Sequence, residues 1–409
     1  MKGFLTEKEV TKIITETVSK YNLDNKNVIV LLPDSTRSGP TDFFFKQFCN
    51  ILGNKVKKLD FLITLGTHPI MNENKILKFL NITKKELKTK YSKFGIFNHR
   101  WDLPETFVTI GTISDNEICK ITNGLFKEKV KIEINKLVFE YDYIIIYGPV
   151  FPHEVVGFSG GYKYLFPGIA GKEIIDFFHW LGAVITNIEI NGKKDTPVRH
   201  VINKSASFLK IPIICFCSVV NDGKLIGLFT GDHNEAWQKA VELSSKVNII
   251  SKSKRYKKVL GIAPKMYDDL WTAGKVMYKL EQIVEDGGDL IIYAPHIKEV
   301  SYTHGKILDK IGYHTVDYFK KQIHKFKNIS RCVMAHSSHV KGIGKYTNGI
   351  EKPRINVYLA TDIPEQRCKK INLGYINPKN IDINEWLKYN EKDVLVVYNA
   401  GEVLYTYKK

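Results

Sequence analysis

No stretch of this sequence approaches the ~20 consecutive apolar residues that a membrane-spanning helix needs, so a membrane partner is not expected. The N-terminus, MKGFLTEKEVTKIITETVSKY, lacks the apolar core and small-residue cleavage site of a secretory signal. It reads as an amphipathic helix with Thr6 as N-cap, and a cytoplasmic location is expected. Cysteine is sparse: Cys49, Cys119, Cys215, Cys217, Cys332 and Cys368 lack the spacing of a disulfide framework. Cys215-Phe216-Cys217 lies in the apolar run IPIICFCSVV, where buried, reduced thiols on opposite faces of a strand are expected. Acidic residues are in deficit, 43 against 61 Lys and Arg, giving a net charge of +18. The lysines are spread along the whole chain, with no dense basic run and no interleaved stacking aromatics. A nucleic-acid partner is therefore not expected, although acidic small molecules are favoured. Neither a GxxxxGK[ST] loop nor an early GxGxxG is present, which disfavours chemistry with free NAD.

What is present is a regular alternation of short apolar runs with helical patterns. Val28–Leu32, Lys58–Leu65, Tyr143–Tyr147, Ile211–Val219, Lys258–Ala263, Leu290–Ala294 and Val357–Ala360 read as buried strands. Thr41–Leu52, Glu235–Val247 and Lys306–Ile311 read as helices between them. The pattern implies α/β architecture with largely parallel sheets, and functional loops at the carboxyl ends of the strands. A length of 409 residues suits two domains. The basic stretch Ser251–Lys258 reads as the linker. Residues 1–255 are then an N-terminal domain and 256–409 a C-terminal one, flanking an interdomain cleft.

Four segments carry residues of chemical interest. After the first strand, PDSTRSGPT places Asp34, Ser35, Thr36 and Arg37 before a helix, where backbone amides and Arg37 can hold an anion. Taken alone, Asp34 and Thr36 serve equally as turn residues. The second strand ends in Gly66-Thr67-His68-Pro69, a position suited to a general base and also common for surface histidines. The third segment, GPVFPHEVVGFSGGYKYLFPGIAGKEIIDFFHW, holds six glycines between Gly148 and Gly171. The run from Gly157 through Ser159, Gly160 and Gly161 lets backbone approach a ligand. Here His153 lies ten residues before Lys163, and His179 sixteen after it. A lysine and two histidines around such a turn suit metal binding, acid/base work or covalent attachment. In the fourth segment, LWTAGKVM, Trp271 and Lys275 share a helix face, able to stack on a ring and hold an anion. His296, Tyr302 and His304 follow the next strand. Downstream, AHSSHVKGIG places His336, His339 and Lys341 in what reads as a loop.

These motifs, in this order and over most of the chain, resemble the nickel-dependent lactate racemase family: PDSTR, GTH, PH with GFSGGYK…LFPGIAG…H, and LWTAGKVM. The resemblance implies that Lys163 forms a thioamide bond to a nickel-pincer nucleotide, a pyridinium mononucleotide holding nickel through a carbon and two sulfurs. His179 would complete the metal's coordination. It also implies that His68 and His153 are paired acid/base groups and that Arg37 and Lys275 hold substrate or cofactor. Asp34, Ser159, Gly160 and Trp271 would lie along the cofactor. Implied partners are a 2-hydroxy acid and the proteins that synthesise the cofactor. One departure is Thr272, where lactate-specific members have glutamine. The longer pattern resembles a branch acting on sugar acids, implying an aldonic acid 2-epimerase of the gluconate type, with Thr272, Tyr302, His304, His339 and Lys341 near substrate. A racemase of lactate or another short hydroxy acid is the alternative, and a non-catalytic nickel or nucleotide carrier is the reading from another class.

Overall fold

The structure, a computed structural model, describes residues 3–408. The chain divides into two compact units. The first holds Met1–Phe151, Ser159–Ile175 and Arg199–Val247; the second holds Pro152–Phe158, Asp176–Val198 and Asn248–Lys409. The break expected at 255/256 therefore falls at 247/248, and the short segments bearing His153 and His179 belong to the second unit. The expected linker is largely strand: Ile249–Lys252 pairs in parallel with Leu404–Tyr407, and after a three-residue bend Tyr256 begins the next strand. Ile250 and Ser251 of that ribbon are exposed, which explains why its composition reads as loop.

In the first unit, six strands form one sheet: β1 (Asn27–Leu32), β2 (Lys58–Ile63), β3 (Ile96–Asn98), β4 (Tyr143–Pro149), β5 (Ile213–Asn221) and β6 (Lys224–Gly231). Their order is β6-β5-β4-β1-β2-β3. All neighbours run parallel except the β5–β6 hairpin. The principal helices up to residue 247 are α1 (Glu7–Val18), α2 (Thr41–Leu52), α3 (Lys172–Ile185), whose first turn alone lies in this unit, and α4 (His233–Val247). The expected cap of α1 is observed: the Thr6 hydroxyl accepts from Glu9 N, and the Glu9 carboxylate accepts from Thr6 N at 2.8 Å. Helix α2 buries Phe44, Phe45 and Phe48 on the sheet, where Phe44 stacks on Tyr147 with ring centroids 3.9 Å apart. Phe216 of β5 meets Phe48 edge-on. Cys215 and Cys217, flanking it, do not lie on opposite faces as expected. Residues two apart on a strand share a face, and hydrogen bonding to Cys217, together with burial, pushes the Cys215 thiol well up. Both are buried and reduced.

The second unit is built on an all-parallel sheet of β7 (Tyr256–Ile262), β8 (Val284–Ala294), β9 (Asn356–Thr361), β10 (Gly374–Tyr375) and β11 (Val394–Val397). Their order is β10-β9-β8-β7-β11. Helices α5 (Leu270–Ala273) and α6 (Lys275–Leu280) follow β7, α7 (Gly305–Ile311) follows β8, and α8 (Arg331–Lys341) precedes β9. His336, His339 and Lys341 are thus helical, not in a loop. The serines and histidines of α8 are buried against neighbouring elements, and Gly342, at φ 86°, ends the helix. The α/β class and largely parallel sheets are as expected. Among the described residues, no helix is long and apolar enough to cross a membrane.

Candidate functional site

In the first unit, β4, β1 and β2 are adjacent and parallel, so the loops leaving their carboxyl ends emerge along one edge. The sequence places three of its four motifs in those loops. Asp34 follows β1 and His68 follows β2, and Asp34 Oδ2 meets His68 Nδ1. The second Asp34 oxygen accepts from the Thr36 amide at 3.0 Å and the Thr36 hydroxyl at 2.8 Å. Trp101 donates its indole N–H to the His68 carbonyl at 2.8 Å, fixing the backbone that carries the imidazole. Sequence reasoning missed Trp101, since HRWDLP has no spacing tied to the GTH motif. His68 remains partly exposed, whereas Asp34 is buried.

The glycine-rich loop follows β4. The Gly168 carbonyl accepts from Gly66 N at 3.0 Å, joining this loop to the His68 turn. Gly160 and Gly161 take positive φ of 84° and 56°. A Cβ on the first would lie 2.5 Å from Val150, and on the second 2.3 Å from the His233 ring. Lys163 sits in the 3₁₀ turn Gly161–Tyr164 and is half-buried. His233 stacks on Tyr162 at 3.6 Å, and Trp237 lies beyond it at 5.7 Å. The Arg199 guanidinium covers the Trp237 ring at 4.2 Å. Burial holds the His233 imidazole down, to about 3, so it is neutral. Ser159 braces the loop. Its hydroxyl donates to Pro149 O at 3.0 Å and accepts from Phe151 N at 2.9 Å, while its carbonyl accepts from Trp237. Tyr164 is buried, which raises its phenol, and the nearby Arg37 guanidinium opposes that rise. Arg37 and the lysine-bearing turn are therefore neighbours.

The second unit carries the remaining candidates. His153 lies in the small hairpin of Pro152–His153 and Gly157–Phe158. It is buried, with Nδ1 accepting from Val155 N at 3.1 Å and lying 3.4 Å from a Glu154 oxygen. His179 projects from α3, half-buried and stacked on Phe178. Asp269 caps α5, accepting from the Thr272 amide at 3.0 Å and the Thr272 hydroxyl at 2.8 Å. The same carboxylate accepts from Tyr302 N at 3.2 Å, tying the loop after β8 to the start of α5. Thr272 thus uses its hydroxyl locally.

Trp271 stacks on His336 at 4.0 Å and leans on His304 at 4.5 Å. His336 Nδ1 is 2.8 Å from the Tyr278 hydroxyl, and the Tyr278 ring meets His339 edge-on. The Lys275 ammonium, buried, sits 4.9 Å over the Tyr267 ring. Trp271, His304, His336, Tyr278 and His339 thus form one aromatic chain. Of the other candidates, Tyr302 is exposed, Lys341 donates to Asn372 O at 2.6 Å, and His296 bonds the Tyr267 carbonyl at 2.9 Å. Asp269, Tyr278 and Glu154 were not singled out by sequence. Only Glu154 had a signal, its adjacency to His153.

Residues 6–190 match the family described as the lactate racemase N-terminal domain. That stretch contains the Asp34–His68 pair, His153, Lys163 and His179. This part of the chain is similar to the lactate racemase N-terminal domain family. The chain is also 24% identical over 273 residues to the lactate racemase of Thermoanaerobacterium thermosaccharolyticum, covering 66% of this chain and 60% of that relative's length. The lactate racemase apoprotein structure from that organism shares the fold, with a TM-score of 0.72 over 99% of this chain and 94% of that one, at 18% identity. A crystal structure of a protein from Thermotoga maritima matches over 100% of both chains, with a TM-score of 0.91 and 31% identity.

The residues present fit the cofactor that the resemblance implies. Two positive-φ glycines where a Cβ would collide precede a half-buried lysine, and Arg37 is at hand for an anionic group. Among the described residues no three His, Cys, Asp or Glu side chains gather as a metal site. His179 would be one ligand of a metal whose others belong to the nucleotide.

Proposed function

We propose that this protein inverts C2 of a 2-hydroxy acid, with an aldonic acid of the gluconate class as substrate and a nickel-pincer nucleotide tethered to Lys163. The observation that carries this reading is the Asp34–His68 pair beside the lysine-bearing glycine loop, inside a matched lactate racemase domain. The C2 proton of a 2-hydroxy acid is only weakly acidic, so a route through the planar 2-keto acid is the easier way to erase its configuration. When bound, the nucleotide supplies the acceptor and donor of hydride. Everything else falls to side chains. His68 takes the hydroxyl proton of one epimer at Nε2, and Asp34 stabilises the imidazolium that results. His153 serves the hydroxyl of the opposite hand. Acid/base help of this kind is worth ~10²–10⁴-fold. Lys275 and Arg37 hold the carboxylate, Lys275 from a buried position beside the Tyr267 ring, where an ionic contact acts strongly. Thr272 in place of glutamine speaks against lactate, and the sugar-acid reading rests on the resemblance of the longer pattern from LWTAGKVM to AHSSHVKGIG.

The test is intact mass and nickel analysis after co-expression with cofactor-synthesis proteins, followed by a screen of hydroxy and sugar acids. A covalent adduct and bound nickel are expected in the native protein and neither in Lys163→Ala, with epimerisation of gluconate-type acids. An adduct retained in full by Lys163→Ala would remove the tether, and turnover of lactate alone would remove the sugar-acid assignment.

A further inference from the structure

His68 and His153 each have the same ring nitrogen engaged, and the engaging partners are of opposite kind. His68 Nδ1 faces Asp34 Oδ2. The other Asp34 oxygen already accepts from both the amide and the hydroxyl of Thr36. A carboxylate held by donors in this way is ionised and can only accept. A neutral His68 therefore carries its proton on Nδ1 and its lone pair on Nε2. In His153 it is a backbone amide, Val155 N–H, that lies 3.1 Å from Nδ1. An amide N–H can only donate, so this Nδ1 carries the lone pair and Nε2 the proton.

From these contacts we infer that the two histidines are held in opposite tautomers, His68 set to accept a proton at Nε2 and His153 set to donate a hydrogen bond from Nε2. Asp34 and the Val155 amide are the positioning groups. Complete loss of the Nε2 proton from a neutral His153 would leave an imidazolate, far too basic to form near neutral pH. His153 thus acts first as a hydrogen-bond donor to an oxygen gaining negative charge. It becomes a base only after its proton has exchanged through solvent from Nε2 to Nδ1. The Glu154 carboxylate, 3.4 Å from Nδ1, is placed to accept from the relocated proton, as Asp34 already does for His68.

The consequence for turnover rests on the proposed epimerase reading. The epimer whose hydroxyl meets His68 gives up its proton with no prior rearrangement, and the epimerised oxygen regains one from His153 Nε2 as Nδ1 takes one up from solvent; the tautomer exchange at His153 thus follows the redox steps in this direction and precedes them in the other. The ratio of kcat/KM in the two directions must equal the equilibrium constant, so the inequality appears as kcat and KM differing together between the epimers.

The tautomers themselves are read by NMR of the full chain with ring-¹⁵N histidine, at about pH 8.5 where an ordinary imidazole is neutral. His68→Gln and His153→Gln assign the two sets of signals. Protonated Nδ1 is expected for His68 and protonated Nε2 for His153. In Asp34→Ala, the His68 signals should shift toward the Nε2–H form that free imidazoles prefer, with His153 unmoved. In Glu154→Gln, His153 should keep its Nε2–H form, because the amide sets it. A His153 protonated on Nδ1, or both rings in one form, would overturn the inference. The measurement needs neither cofactor nor substrate, so its failure is distinct from failure of Lys163 to load.

Discussion

At the scale of single residues, the Asp34–His68 contact decides most about chemistry. An acceptor-only carboxylate on Nδ1 fixes the imidazole plane and leaves Nε2 able to take a proton. Asp34→Asn keeps the shape but can present an amide N–H to Nδ1, which reverses the tautomer. In serine proteases the equivalent change costs about 10⁴-fold by this route. Turnover of the loaded enzyme is therefore expected to fall by ~10²–10⁴-fold, while the Lys163 adduct still forms. Steady-state kinetics beside intact mass checks both halves, and an unchanged kcat would remove His68 as the base.

At the scale of elements, two short stretches show how local geometry serves the fold and the loop. The capping box of α1 satisfies orphan amides at the helix start. Thr6→Ala should cost about 1 kcal/mol, seen as a lower urea midpoint with unchanged loading. Gly161 is different in kind. Its φ of 56° and the 2.3 Å approach of a would-be Cβ to His233 leave no room for a side chain. Gly161→Ala must displace either the Lys163 turn or the Tyr162–His233–Trp237 stack, at a cost of ~1–3 kcal/mol. The adduct yield on Lys163 is expected to drop well below that of the native protein under the same co-expression. Full loading in this variant would show that the stack does not position the lysine.

For the whole molecule, three buried histidines make stability depend on pH. Burial lowers His99 to about 4, His233 to about 3 and His339 to about 4, each from an ordinary 6.5. The folded protein keeps these rings neutral while the unfolded chain protonates them, so the unfolded state binds more protons below pH 6.5. Their contribution is complete above that value and is lost as pH falls toward 4 and then 3. At pH 5 each neutral ring would cost about 2 kcal/mol relative to pH 7. Urea titrations at the two pH values should show a marked fall in midpoint at the lower one. An unchanged midpoint would mean that these imidazoles are reached by water in the folded state.

The sequence by itself determined the alternation of strands and helices, because burial on two faces of a parallel sheet writes continuous apolar runs that periodicity detects. Strands β1, β2 and β4, helix α2 and the Thr6 cap were legible for that reason. So was the placing of Asp34, His68 and Lys163 in loops beyond strand ends. Tertiary structure decided what no local pattern encodes. Contacts formed far along the chain assigned His153 and His179 to the second unit, and drew both ends of the polar stretch 251–258 into strands. They also buried His336 and His339 on a helix whose serines read as loop. The partner at each imidazole nitrogen, a carboxylate for His68 and an amide for His153, was likewise set in three dimensions. A proton's position on a ring depends on which atom lies within about 3 Å of it, and sequence spacing does not carry that distance.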